Sequence, residues 1–208
     1  MTKASNKYSA NDPAFAAKHG VMKNKLGLTD ETALQQAESI ALIVAYEDAA
    51  LGYSENHCFS VGDVCQLHKL FLGNIYEWAG EYRNIDISSP GIRWCHAKFI
   101  EKEMSRLNAL LQDATPLSPH LSREEIITEV AKVHGEYIVI HPFRDGNGRT
   151  GRMLANLMLM QAEMPPFSME VFDSAEIQEK YLAAIRDVWA KEDYAKLIKL
   201  FEVLVPKL

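Results

Sequence analysis

The chain has 208 residues, of which 48% are hydrophobic, 24% charged and 9% aromatic, a composition that excludes disordered, collagen-like and disulfide-stapled chains. With 22 Lys and Arg against 28 Asp and Glu the net charge is −6, which disfavours nucleic acid as a partner because an acidic surface repels a phosphate backbone. Any anion the protein holds must therefore meet a local concentration of positive charge.

The first 20 or so residues are small and polar without a clear period and are expected to form a loose arm, with one domain over 21–208. The arm lacks the apolar run of a secretory signal. No stretch reaches the roughly 18 apolar residues of a membrane span, so no membrane contact is expected. Cys58, Cys65 and Cys95 are odd in number and form no CxxC, which argues against a disulfide framework. The expected compartment is the cytoplasm, which leaves open translocation into another cell by a machine that reads no cleavable signal.

Beyond the arm the pattern is helical, and the fold class expected is mainly α with one short β-hairpin. A first helix is expected from 31 to about 51. Ser60-Val-Gly-Asp63 caps a second, with Phe59 and Val64 placed as a hydrophobic staple. Tyr82-Arg-Asn-Ile-Asp-Ile87 then alternates, Ser88-Ser-Pro-Gly91 supplies turn chemistry and Ile92-Arg-Trp-Cys-His96 resumes in extended style. This predicts a lone hairpin over 82–96, either a protected connector or a clamp that pairs with an extended segment of a partner. A helix follows from 99 to about 112. Ser122-Arg-Glu-Glu125 is a capping box, followed by Ile126, Val130, Val133 and Tyr137 on one helical face. Asp173-Ser-Ala-Glu176 repeats the capping arrangement. Later helices are expected over 149–162, 174–190 and 194–205.

The chemistry is concentrated in residues 141–152, His-Pro-Phe-Arg-Asp-Gly-Asn-Gly-Arg-Thr-Gly-Arg. Pro142 pushes His141 out of helical geometry and so presents it at a helix end. Gly146-Asn147-Gly148 makes a tight turn with a concave row of N–H groups, and Arg149 and Arg152 fall in the first turn of the next helix. Cations there oppose the helix dipole by about 0.3–1 kcal/mol each, an arrangement that makes sense when an anion is shared by the dipole, the amides and the guanidinium groups. Arg144, Arg149 and Arg152 against Asp145 leave a local charge of +2, the positive patch the acidic chain lacks elsewhere. A polyphosphate is the natural ligand. Asp145 offers a hard oxygen for Mg²⁺ beside it, and His141 is a candidate general base. Gly146 and Gly151 have the spacing of a Walker loop, but Arg152-Met153 replaces its Lys-Ser/Thr and a helix replaces its strand.

These twelve residues resemble the Fic-family signature HxFx(D/E)GNGRxxR at every specified position. Lys23-Asn-Lys-Leu-Gly27 and Ile75-Tyr-Glu-Trp-Ala-Gly-Glu-Tyr-Arg83 are similar to stretches preceding the core of bacterial Fic proteins, and the likeness runs over roughly residues 20–200. The resemblance implies AMP transfer from ATP to a Tyr, Ser or Thr hydroxyl of a target protein. His141 would deprotonate the hydroxyl, Asp145 would hold Mg²⁺, Gly146, Asn147 and Gly148 would orient the α-phosphate, and Arg149 and Arg152 would hold the outer phosphates. Phe143 would anchor the loop. The hairpin would be the family's flap, with Ile85, Asp86, Ile87 and Ser88 registering the target. Alternatives within the family are kinases, whose motif commonly carries Lys where this chain has Gly148, and transfer from UTP or a phosphocholine donor. Outside it stands a non-catalytic nucleotide-binding module, though binding alone needs no base.

Many Fic proteins are silenced by a helix of pattern (S/T)xxxE(G/N). Here the only Glu followed by Gly or Asn is Glu55, and the residue four before it is Leu51. The resemblance therefore implies an enzyme that is either constitutively active or, as expected here, of the toxin-like class restrained by a separate small antitoxin protein, which would supply a Glu near Arg152. Other candidates receive ordinary roles: His57, Cys58, Cys65 and His68 match no zinc-ligand spacing, His96 is read as a surface ring and His134 as packing.

Overall fold

The computed structural model describes residues 21–207, so the arm expected over 1–20 lies outside the described residues. Within them the chain forms seven α-helices and one two-stranded antiparallel hairpin, and no helix is long and apolar enough to cross a membrane. Helix α1 (Glu31–Gly52) begins where the Asp30 carboxylate accepts from the Ala33 N–H. Helices α2 (Val61–Leu72) and α4 (Arg123–Ile140) begin at the Ser60/Asp63 and Ser122/Glu125 capping boxes read from the sequence, with both reciprocal bonds formed. The others are α3 (Ile100–Ala114), α5 (Asn147–Gln161), α6 (Ala175–Lys191) and α7 (Ala195–Leu204).

Two start signals are displaced. Asp173 does not cap α6, because it ends a 3-10 turn (Met169–Asp173) that Ser168 caps. Ser174 takes the N-cap position instead, without a side-chain bond. Helix α5 begins at Asn147, two residues before the expected 149, so Gly148 belongs to its first turn and Arg152 to its second.

The hairpin is shorter than expected. Strand β1 (Ser88–Ser89) pairs with β2 (Ile92–Arg93), with Ser88 opposite Arg93 and Ser89 opposite Ile92. Between them Gly91 takes a φ of 80°, a region that favours glycine. Residues 82–87 stay out of the ladder because their polar groups have other partners. The Arg83 N–H donates to Pro142 O at 2.8 Å, and the Asp86 carboxylate accepts from the Ala97 N–H at 2.7 Å.

Helix α4 packs against α3, α5, α6 and α7. It is buried around most of its circumference, at Ile126, Ile127, Val130, Val133, Tyr137, Ile138 and Ile140 among others. That makes it a central core helix, wider in its burial than the single stripe its spacing suggests. Helix α5 packs on its other flank against α1 and α2. The segment joining α4 to α5 therefore leaves and re-enters the core, and both of its ends are fixed by packing.

At Gly151 α5 packs tightly on α4: a Cβ there would stand 2.8 Å from Tyr137 Cδ1 and 3.2 Å from His134 Cε1. Gly151→Ala is expected to lower the urea midpoint, since overpacking costs about 1–3 kcal/mol against at most ~1 kcal/mol gained in helix propensity. An unchanged or raised midpoint would show that the two helices have room to spare.

Candidate active site

His141 closes α4. Its N–H donates to Tyr137 O at 3.0 Å as the last helical bond, and its backbone then turns left-handed, with φ 52° and ψ 58°. Pro142 accounts for the exit from the helix. A left-handed non-glycine residue persists only where its surroundings over-determine it. Here Arg83 does so: its Nε–H donates to His141 O at 2.8 Å, and the same guanidinium donates to Ile85 O at 2.6 Å and to Cys95 O. The imidazole is 5% exposed. Its Nδ1 lies 3.1 Å from Ile138 O. A carbonyl only accepts, so Nδ1 carries the hydrogen, and in the neutral ring the lone pair is then on Nε2.

The loop that follows is folded on itself by buried groups. Phe143 is fully buried and stacks on His68, with ring centroids 3.8 Å apart and planes 13° from parallel. The Asn147 side chain accepts from Phe143 N–H at 2.9 Å and donates to Phe143 O at 2.8 Å. Being fully buried, that side chain shapes the loop, and what Asn147 can offer an anion is its backbone N–H. Of the three residues of the Gly146-Asn147-Gly148 turn, Gly146 alone takes a positive φ, at 79°. A Cβ on Gly146 would also stand 2.8 Å from Leu72 Cδ1, so glycine is required there on two counts. The first intrahelical bond of α5 runs from Thr150 N–H to Gly146 O. The N–H groups of residues 147–149 therefore have no acceptor inside the helix, and they form the positive pole of its dipole.

The charged groups gather around that pole. One Asp145 carboxylate oxygen accepts from Gly146 N–H at 2.6 Å, and the other lies 3.9 Å from Arg149 Nη2. A single carboxylate at the rim of an anion cradle is the donor set that Mg²⁺ uses when it also binds phosphates, so the residues fit that ion. Arg149 donates to Glu38 of α1 at 2.6 Å and lies over the Phe71 ring, 4.7 Å from its centroid. The Tyr76 hydroxyl donates to the second oxygen of Glu38. Arg152 lies over Phe172 at 4.6 Å, and its Nε is buried with no hydrogen-bond partner among the described residues. Burial pushes its guanidinium below the usual range. Arg144 points elsewhere, with Nη2 3.4 Å from Asn84 Oδ1.

Two histidines brace this assembly. The Gly80 N–H donates to His68 Nδ1 at 2.8 Å, so Nε2 carries the hydrogen and donates to Asp145 O at 2.9 Å. His134 Nδ1 lies 3.1 Å from Gly151 O, and Nε2 accepts from the Tyr181 hydroxyl at 2.9 Å. Burial depresses His68 to about 4 and His134 to about 3. The two upstream segments singled out in the sequence are part of the same bracing. Lys25 N–H donates to Ile75 O at 2.7 Å and Lys25 Nζ to Gly73 O at 2.9 Å, while the later segment supplies Gly80 and Arg83.

In the hairpin, Ile87 is buried and Ser88 is paired in β1. The Ile85 carbonyl is bound by Arg83. Asp86 is occupied with Ala97 N–H and with His96 Nε2 at 3.1 Å. His96, expected as a plain surface ring, caps the 3-10 turn Ala97–Phe99 by accepting from Lys98 N–H. Sequence reasoning missed Glu38 and undervalued His68. The signal for both was a polar residue in a buried row: Glu38 with Leu34, Ala45 and Ala49 on α1, and His68 with Val64, Leu67, Phe71 and Leu72 on α2.

Residues 58–159 match the model of the Fic/DOC family. A probable protein adenylyltransferase Fic of Salmonella typhimurium is 31% identical over 157 residues, covering 73% of this chain and 74% of that protein. The chain belongs to the Fic/DOC family. The protein adenylyltransferase VbhT of Bartonella schoenbuchensis is 30% identical over 185 residues, 88% of this chain, but this Fic chain spans only 37% of VbhT's length. Among solved structures, the BepC effector of Bartonella tribocorum with bound AMPPNP superposes with a TM-score of 0.73 at 20% identity, covering 90% of this chain and 93% of that one. This establishes that the two share a fold.

The depressed histidines set the acid sensitivity. Both are neutral when folded and titrate near 6.5 when unfolded, so the unfolded state binds more protons between those values and stability falls as pH drops through about 6.5 toward 4. Between pH 7 and pH 5 unfolding free energy is expected to fall by roughly 2 kcal/mol per histidine, read as the urea midpoint. A flat profile over that range would contradict the buried neutral state.

Proposed function

We propose that this Fic protein transfers AMP from Mg-ATP to a hydroxyl side chain of a target protein. The observation that carries the reading is the meeting, within one loop, of a histidine tied by Nδ1 to Ile138 O at the end of α4 and the amides without an intrahelical acceptor and the arginines at the start of α5. The relatives named protein adenylyltransferase and the AMPPNP held by BepC support the same reading.

In this mechanism the triphosphate lies against the first turn of α5. Its α-phosphate faces the N–H groups of residues 147–149, and its outer phosphates face Arg152, whose buried Nε leaves a donor to satisfy. Arg149, held by Glu38 and Phe71, presents its charge from the other side. Asp145 would hold Mg²⁺, which would neutralise phosphate charge when bound. His141 Nε2 takes the proton of the target hydroxyl as that oxygen bonds to the α-phosphorus. The bond from the α-phosphorus to its bridging oxygen breaks and pyrophosphate leaves. Developing negative charge then falls on preorganised donors, the arrangement that usually contributes most to such catalysis. The target segment lies along β1 of the flap, paired through backbone groups, since Ile87 is buried and Asp86 is already engaged.

Gly148 favours AMP transfer over a kinase reaction. A Cβ at 148 would stand 3.3 Å from Arg152 Nη1, so a side chain there would press on the guanidinium assigned to the outer phosphates. The reading extends to regulation by a separate inhibitory protein that supplies a Glu to Arg152. Glu38 is spent on Arg149, and the sequence holds no (S/T)xxxE(G/N) helix.

Incubation with α-labelled and with γ-labelled ATP in a cell lysate tests the proposal. Label is expected on a protein band from the α position only; label from γ only would make the protein a kinase, and none a nucleotide sensor. His141→Ala should reduce transfer by about 10²–10⁴-fold while retaining nucleotide affinity. Arg152→Ala should weaken ATP relative to AMP, and an unchanged ratio would contradict its assignment to the outer phosphates.

A further inference from the structure

The imidazole of His141 is bound at one edge by Ile138 O, and its face is covered by Trp94, which follows β2. Its indole lies parallel to the imidazole, with centroids 4.0 Å apart and planes 12° from parallel. Trp94 is 5% exposed, and its Nε1–H donates to Ser89 Oγ in β1 at 3.1 Å. The indole is therefore clamped between two parts of the site: its face covers the imidazole and its polar edge is latched to the flap strand. Arg83 reinforces the same link through the backbone, joining His141 O to Cys95 O, one residue beyond the indole.

We propose that Trp94 is a positioning residue that fixes the ring plane of His141, and hence the direction of the Nε2 lone pair, and that its bond to Ser89 ties that direction to the flap. This rests on the reading of His141 as the base. A ring free to rotate about its last side-chain bond would aim Nε2 at the target hydroxyl for only part of the time. Misplacement on the scale of an ångström costs about 10²-fold in rate. Because Ser89 adjoins Ser88 in the strand assigned to the target, the atoms that register the target and the atom that takes its proton are separated by one side chain.

The test compares Trp94→Phe, which keeps a flat ring, with Trp94→Leu, which keeps apolar bulk without one, and with Ser89→Ala, which removes only the latch. Two readouts are used: turnover with saturating ATP, and nitrogen NMR of the His141 ring, which reports its tautomer and its order independently of activity. Trp94→Leu is expected to lower kcat by about 10²-fold with ATP affinity within twofold, and to broaden or average the two ring nitrogens of His141. Trp94→Phe is expected to restore kcat to within a fewfold and to keep the single tautomer, and Ser89→Ala to fall between the two. A Trp94→Leu protein with an undisturbed imidazole spectrum overturns the proposal, as does one with undisturbed kcat. Were the parent protein to transfer no AMP at all, the function assigned above would fail, and the ring spectra would still decide whether Trp94 positions His141.

Discussion

Arg83 is a cation with 2% of its surface exposed, and its charge is met by the carbonyls of Ile85, Cys95 and His141, with that of Ile140 at 3.4 Å. Taking a guanidinium out of water costs several kcal/mol unless its donors are satisfied. Two of these acceptors lie at the C-terminus of α4, the negative pole of that helix, and the other two belong to the legs of the flap. One side chain therefore offsets its own desolvation by joining the helix that ends in His141 to the hairpin assigned to the target. Without that junction the left-handed turn at His141 would lose its backbone anchor to the flap, and the stacking of Trp94 on the imidazole would have to carry the link.

The junction also explains why the rest of the loop can be short. Helix α4 ends and α5 begins within six residues, so the negative pole of one helix and the positive pole of the other share one small volume. In the proposed reaction the first carries the proton acceptor and the second the phosphate cradle, so positive charge on His141 and negative charge on the phosphoryl group would each develop at the pole that stabilises it. The loop keeps its shape because its anchors are buried: Phe143 on His68, Asn147 on the backbone of Phe143, and His68 on Asp145 O. This is a rigid site built from core packing, and its arginines are arranged on aromatic faces and on one carboxylate from a distant helix.

Much of this was legible in the sequence because it is local. Capping boxes at Ser60 and Ser122 involve residues three apart, and the twelve residues from His141 to Arg152 place base, carboxylate, glycine and arginines within one turn and one helix start. What could not be read depends on contacts between distant segments. Glu38 lies 111 residues from Arg149 and His68 lies 77 from Asp145; each is visible in the chain only as a polar residue on an apolar face. Alternation at 82–87 mimics a strand, whereas Arg83 and Asp86 commit that stretch to binding carbonyls and a turn. Asn147 likewise makes a contact the motif does not spell out: its side chain closes the loop on Phe143, which leaves its backbone N–H for the α-phosphate in the proposed reaction.

The most direct measurement is a crystal structure of the His141→Ala protein with Mg²⁺ and AMPPNP. The α-phosphate is expected within hydrogen-bond distance of the N–H groups that open α5, the metal on Asp145, and the outer phosphates on Arg152. A nucleotide bound away from the start of α5, or with its phosphates turned toward solvent while adenine fills the cradle, would contradict this placement.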